Sequence, residues 1–102
     1  MTYNCVAYAK HKRPDLASQG KLKTKDGYAR TIPTTSGEPL EGAIVKTAES
    51  RMGHVAYVER VIYEHNTAIW YAVDVSDTNV RPGTITQRTI LRSSGVVRGF
   101  IN

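Results

Sequence analysis

Cys5 is the only cysteine of the chain, and His54 is one of three histidines. A thiol and an imidazole far apart in sequence can meet in a fold as a nucleophile and its base. Cys5 follows Asn4, a residue type that caps helix N-termini, and a helix running from Cys5 towards Lys12 would put the thiol in its first turn. There the unpaired N–H groups and the positive end of the helix dipole favour thiolate over thiol. A lone cysteine without context is more often a small buried hydrophobe; its place after a cap residue shifts the odds towards reactivity. His54 opens the β-rich run Gly53-His54-Val55-Ala56-Tyr57-Val58, beside a glycine that lets another backbone come close. His11 falls about 240° round the helix from Cys5, and His65 lies in a hairpin turn. Both are expected to face solvent.

An imidazole that serves a thiol usually needs a third group to fix its tautomer. Asp74, Asp77 and Asn79 stand at the end of the strand after the histidine strand. Side-chain alternation puts Asp77 and Asn79 in the row of Ile69, Tyr71, Val73 and Val75, and Asp74 in the row of Trp70 and Ala72. On the histidine strand, His54, Ala56 and Val58 share one face. Alternation alone does not say which row faces His54, and any of these acids could equally be a solvated strand end.

The elements that must carry these residues follow from local signals. Arg13-Pro14 stops the first helix. Residues 15–37 are polar, with a short helix or turn in a mostly irregular segment. From Gly42 onward the pattern is β: a short strand at 43–45, longer ones at 53–63 and 68–76 joined through Glu64-His65-Asn66-Thr67, then 84–91 after the Arg81-Pro82-Gly83 turn, and 96–101. A helix followed by an antiparallel sheet is an α+β arrangement.

A chain of 102 residues suits one domain, 1–102, and at that size roughly 60 to 70 percent of the unfolded surface can be buried. A single cysteine excludes an internal disulfide. No run of about 18 apolar residues is present and the N-terminus lacks an apolar h-region, so neither a transmembrane segment nor a signal peptide is expected. The net charge of +5 and pI near 9.6 favour an anionic partner. Cations cluster at Lys10-His11-Lys12-Arg13 and at Lys21, Lys23 and Lys25, with Arg81, Arg88, Arg92 and Arg98 later in the chain. No zinc-finger spacing, RRM aromatic motif or leucine zipper is present, so specific nucleic-acid binding is not expected.

Four segments together resemble the CHAP family, the cysteine, histidine-dependent amidohydrolases/peptidases: Asn4-Cys5-Val6-Ala7-Tyr8-Ala9, Arg13-Pro14-Asp15-Leu16, Pro39-x-x-Gly42-Ala43-Ile44 and Gly53-His54-Val55-Ala56-Tyr57-Val58-Glu59. Val75-Ser76-Asp77-Thr78-Asn79 is similar to that family's Ile-Ser-Glu-Met-Asn segment, whose acid orients the histidine. Gln87-Arg88-Thr89-Ile90 and Gly99-Phe100-Ile101 resemble its closing strands. The resemblance implies a papain-like α+β fold, with the N-terminal helix packed on an antiparallel sheet, that cleaves amide bonds of bacterial peptidoglycan. It implies Cys5 as nucleophile, His54 as general base and later acid, and Asp77 as the orienting residue in place of the usual glutamate. Asn79 and Asn4 are implied as supporting groups, and Asn79 or Asp74 could take over the orienting role. The Cys5 N–H is expected to form the oxyanion hole.

The chain departs from the family in two places. It starts four residues before Cys5, without the acidic calcium loop of some relatives, so no metal and no cofactor are expected. Residues 15–37 lack the usual Gly-Asn and Trp pattern, which implies a rebuilt cleft wall. The expectation is a monomeric lysin of bacteriophage type, made in the host cytoplasm and acting at the wall after release, held there by teichoic acid or lipopolysaccharide phosphates. The rivals are a wall-binding module without activity, a thiol amidase or acyltransferase with another substrate, and a basic nucleic-acid binder.

Overall fold

Asn4 starts the first helix as its residue type requires. In the computed structural model, which describes residues 4–78 and 84–102, Asn4 is extended and its Oδ1 accepts the Ala7 N–H at 2.8 Å. Helix α1 then runs Cys5–Lys12, with Lys10, His11 and Lys12 in the last turn, where cations complement the negative end of the dipole. Pro14 both stops α1 and opens a second helix, α2, Pro14–Ser18. Its missing N–H and fixed φ forbid continuation but suit a first helical position. The Arg13 guanidinium braces this corner through two bonds to Asp15 at 2.9 and 2.8 Å and one to the Gly42 carbonyl.

The segment expected to be mostly irregular contains α2 and one 3-10 turn, Ala29–Thr31. It contributes more to the core than its polarity suggests. Leu16, Leu22, Ala29 and Ile32 are buried and pack with Ala9, Ile44, Val55 and Ile101 into one hydrophobic cluster between helices and sheet. The apolar residues are sparse, so no periodicity announces them, yet each one is placed inward.

Among the described residues five strands follow: β1 Ile44–Thr47, β2 His54–Tyr63, β3 Trp70–Asp77, β4 Thr86–Leu91 and β5 Val97–Ile101. They form one antiparallel sheet in the order β4-β3-β2-β1-β5. β3 starts later than its β-prone residues suggest because the connection from β2 is a longer turn. Asn66 there takes φ 56°, the Glu64 N–H donates to the Ile69 carbonyl, and the Ile69 N–H donates to Thr67 Oγ1 at 3.1 Å. The Arg81-Pro82-Gly83 turn and Asn79 lie outside the described residues.

The face of the sheet away from α1 carries a second cluster of Val45, Ala56, Val58, Val73, Val75, Ile90 and Phe100, joined by Trp70, which the register shift between Ile62 and Tyr63 takes out of the expected row of Ala72 and Asp74. Trp70 of β3 meets Phe100 of β5 edge to face at 5.4 Å, although β2 and β1 lie between those strands. That contact requires a strongly curled sheet, which closes its inner face on itself. The result is a small compact α+β domain, with a radius of gyration of 12.8 Å. Among the described residues no helix is long and apolar enough to cross a membrane.

Candidate active site

Strand register decides which acid meets His54. Val58 pairs with Val75, Val75 with Arg88, and Asp77 with Thr86, so His54, Ala56 and Val58 share the inner face with Val73, Val75 and Asp77, and with Thr86, Arg88 and Ile90. His54 Nε2 lies 2.7 Å from Asp77 Oδ2, and the two side chains are 1% and 0% exposed. Asp74 sits on the outer face, where it accepts from Arg60 at 3.0 and 2.7 Å and from Thr89 at 2.6 Å. Asp77 is therefore the acid brought to the histidine. His65 is exposed in the β2–β3 turn, beside Asn66 at 3.1 Å, and His11 is exposed on α1.

With Nε2 engaged by Asp77, Nδ1 is the ring nitrogen left for a thiol. It is buried and has no hydrogen-bond partner among the described residues, while the half-buried Cys5 thiol acts on the ring from the start of α1. Burial alone would make the imidazole less basic, but Asp77 and Cys5 outweigh it and raise the His54 pKa to about 9. Burial likewise opposes ionisation of Cys5. The imidazole, together with the backbone N–H groups of Val55 and Val6, overcomes that and holds the thiol below its ordinary value. These opposite shifts favour a thiolate–imidazolium pair. Burial also opposes the Asp77 charge, yet His54, Arg88 and Thr86 lower its pKa to about 2.

Three features hold these groups in place. The Asn4 cap fixes the first turn of α1, as expected from its residue type. Tyr8, one turn beyond Cys5, donates its hydroxyl to Ser76 Oγ at 2.9 Å, and Ser76 donates to Glu59 Oε1 at 2.9 Å, which pins α1 to β3. Gly53 takes φ +76°, and a Cβ there would sit 2.5 Å from the Arg30 nitrogen. A backbone does come close to Gly53, but it belongs to the 3-10 turn rather than to α1.

Sequence reading missed Arg88 and Val55. Arg88 shares the inner row of Asp77 two positions beyond its partner Thr86, and strand parity could have found it once Asp77 was chosen. The Val55 N–H is a main-chain group whose part in the site no side-chain pattern signals. An open groove of about 510 Å³ runs along β2, β3 and β4 past Glu59, Asp74, Gln87 and Arg88, without including Cys5 or His54. Among the described residues no group of three or more His, Cys, Asp or Glu side chains is placed to hold a metal ion. Chemically, a paired thiolate can attack an electrophilic carbon while the imidazolium supplies a proton to the departing group.

The chain is similar to the staphylococcal secretory antigen ssaA2 of Staphylococcus aureus strain MRSA252, with 40% identity over 76 residues, covering 72% of this chain and 26% of that protein. The same antigen from strains NCTC 8325 / PS 47 and COL is 38% identical over 76 residues. The chain thus spans about a quarter of the length of the curated relatives it matches. No family model and no solved structure matches it.

Proposed function

We propose that this domain is a papain-like, CHAP-type cysteine hydrolase that cuts an amide bond of bacterial peptidoglycan. The observation that carries the reading is buried His54, held through Nε2 at 2.7 Å from buried Asp77, with Nδ1 left without a hydrogen-bond partner among the described residues and Cys5 near enough to help raise the ring's pKa. In the cycle, thiolate Cys5 attacks a carbonyl of the stem peptide, the cross-bridge or the muramoyl-alanine link. The negative oxygen forms opposite the Cys5 N–H, whose donation lowers the barrier. The C–N bond then breaks as His54 gives its proton to the leaving amine, which leaves an acyl thioester on Cys5. Water enters, gives a proton to His54 and attacks the thioester, and the thiolate departs with the imidazolium restored. Asp77 keeps the ring in the required orientation through both halves.

The similarity to proteins named as secretory antigens fits a substrate outside the cell membrane. The charge of +5 fits an anionic surface, such as wall teichoic acid or lipopolysaccharide, as a secondary attachment that weakens with salt. Action as a phage lysin, as a monomer at the wall, belongs to the same proposal. The test is release of soluble fragments from purified sacculi by the protein and by Cys5→Ala. Release that depends on Cys5 supports the hydrolase; sacculus binding by both proteins with no release by either overturns it in favour of a binding module.

A further inference from the structure

Both oxygens of Asp77 are occupied. Oδ1 accepts from Thr86 Oγ1 at 2.7 Å, and Oδ2 meets His54 at 2.7 Å and Arg88 through Nε at 3.1 Å and Nη2 at 2.8 Å. The same guanidinium turns its outer edge to Glu49, with Nη2 2.7 Å from Oε1 and Nη1 on Oε2. Glu49 in turn accepts the Thr47 hydroxyl at 2.8 Å, and Thr47 is the register partner of His54. Whenever His54 is protonated, sign alternates along this row of four groups: imidazolium, carboxylate, guanidinium, carboxylate.

A carboxylate with no exposed surface needs a counter-charge at all times, because an unpaired buried charge is costly. In the cycle above, His54 repeatedly loses and regains a proton. Were the imidazolium the sole cation on Asp77, each loss would strand the carboxylate, and the two groups would come to share a proton. A guanidinium does not titrate in this range.

We propose that Arg88 is a positioning residue of the site, which gives Asp77 a permanent counter-charge, so that the carboxylate stays ionised and aimed at His54 Nε2 in both protonation states of the ring. Glu49 sets how much of the Arg88 charge reaches Asp77. Because Arg88 and His54 share Oδ2, Arg88 also weakens the hold of Asp77 on the ring proton, which eases its transfer to a leaving group. Among the described residues, the charged groups that act on His54 are Cys5 from α1, Asp77 from β3 and Glu49 from the segment after β1, and Arg88 from β4 reaches it through its contact with Asp77.

The inference rests on the reading of His54 as a proton carrier, but its test needs no substrate. NMR titration of the His54 ring nitrogens in the intact protein is compared with Arg88→Gln, Arg88→Lys and Glu49→Gln. Arg88→Gln is expected to raise the ring pKa by about one unit, Glu49→Gln to lower it, and Arg88→Lys to stay near the parent value. Merely loosening the packing would not produce shifts of opposite sign. Equal-signed shifts, or none, overturn the proposal. Should Arg88→Gln not fold, Glu49→Gln decides: a lowered pKa upholds the proposal, and an unchanged or raised one overturns it. Opposite shifts in a protein inert on peptidoglycan would uphold the charge row and remove the hydrolase reading alone.

Discussion

His54 and Asp77, 23 residues apart, meet at 2.7 Å inside the curled sheet with both side chains almost wholly buried. Adjacent strands create this contact: β2 begins at His54 and β3 ends at Asp77, and antiparallel pairing brings a strand start to a strand end. The thiol arrives from the opposite face on a capped helix, so sheet and helix must dock in one register for Cys5 to reach the ring.

The pH dependence of activity follows from the opposite shifts of thiol and imidazole. The competent pair needs Cys5 ionised, so kcat/KM should rise along an acid limb centred below the ordinary thiol value. It needs His54 protonated, so activity should fall as pH climbs through about 9. The pH dependence of Cys5 alkylation by iodoacetamide checks the acid limb without a substrate. An apparent value at or above that of a free thiol would contradict the pairing.

Asp77→Asn and Asp74→Asn should separate sharply. Loss of the Asp77 charge removes the main support of the imidazolium, and a fall of about one to two pKa units from about 9 moves the alkaline limb towards neutrality, lowering activity by about 5- to 50-fold at pH 9 and by no more than about twofold at pH 7. Asp74 pairs at the surface with Arg60, which is 65% exposed, so its replacement should leave activity within about twofold, given the small worth of such pairs. Steady-state kinetics on a soluble wall fragment checks both variants.

Asn4→Ala removes the hydrogen bond to the Ala7 N–H. The expected loss is about 1 kcal/mol, or a Tm lower by roughly 4 to 8 °C for a domain of this size. The thiol pKa should rise as the first turn of α1 frays. Calorimetry and alkylation kinetics read these two effects separately.

Gly53→Ala faces a left-handed φ and a clash with the Arg30 backbone. Gly27 has a similar φ of +78°, but a methyl group added there would meet nothing within 4 Å. Gly27→Ala should therefore cost about 1 kcal/mol through backbone strain alone. Gly53→Ala should cost clearly more and displace His54, the next residue. Denaturant unfolding of the two variants, with activity of the folded fraction, makes the comparison.

Much of this arrangement was legible in the residues. Asn4 before Cys5 announced a capped helix, and the alternation from His54 to Val58 announced a strand with one inward row. Local pattern could not choose between Asp74 and Asp77, because that choice depends on how β2 and β3 pair. The inward role of Leu22, Ala29 and Ile32 was hidden for a similar reason: isolated apolar residues in a polar segment have no period, and only docking against the sheet selects them. Arg88 read as one of several scattered cations, since its two carboxylate partners come from elements 11 and 39 residues away.

The most direct measurement is mass spectrometry of purified peptidoglycan digested with the protein and, in parallel, with Cys5→Ala. The account predicts new amino termini at a single type of amide bond, present only when the thiol is intact. Peptidoglycan left unchanged across several wall types, with Cys5 shown to be reduced and the protein folded, would contradict it.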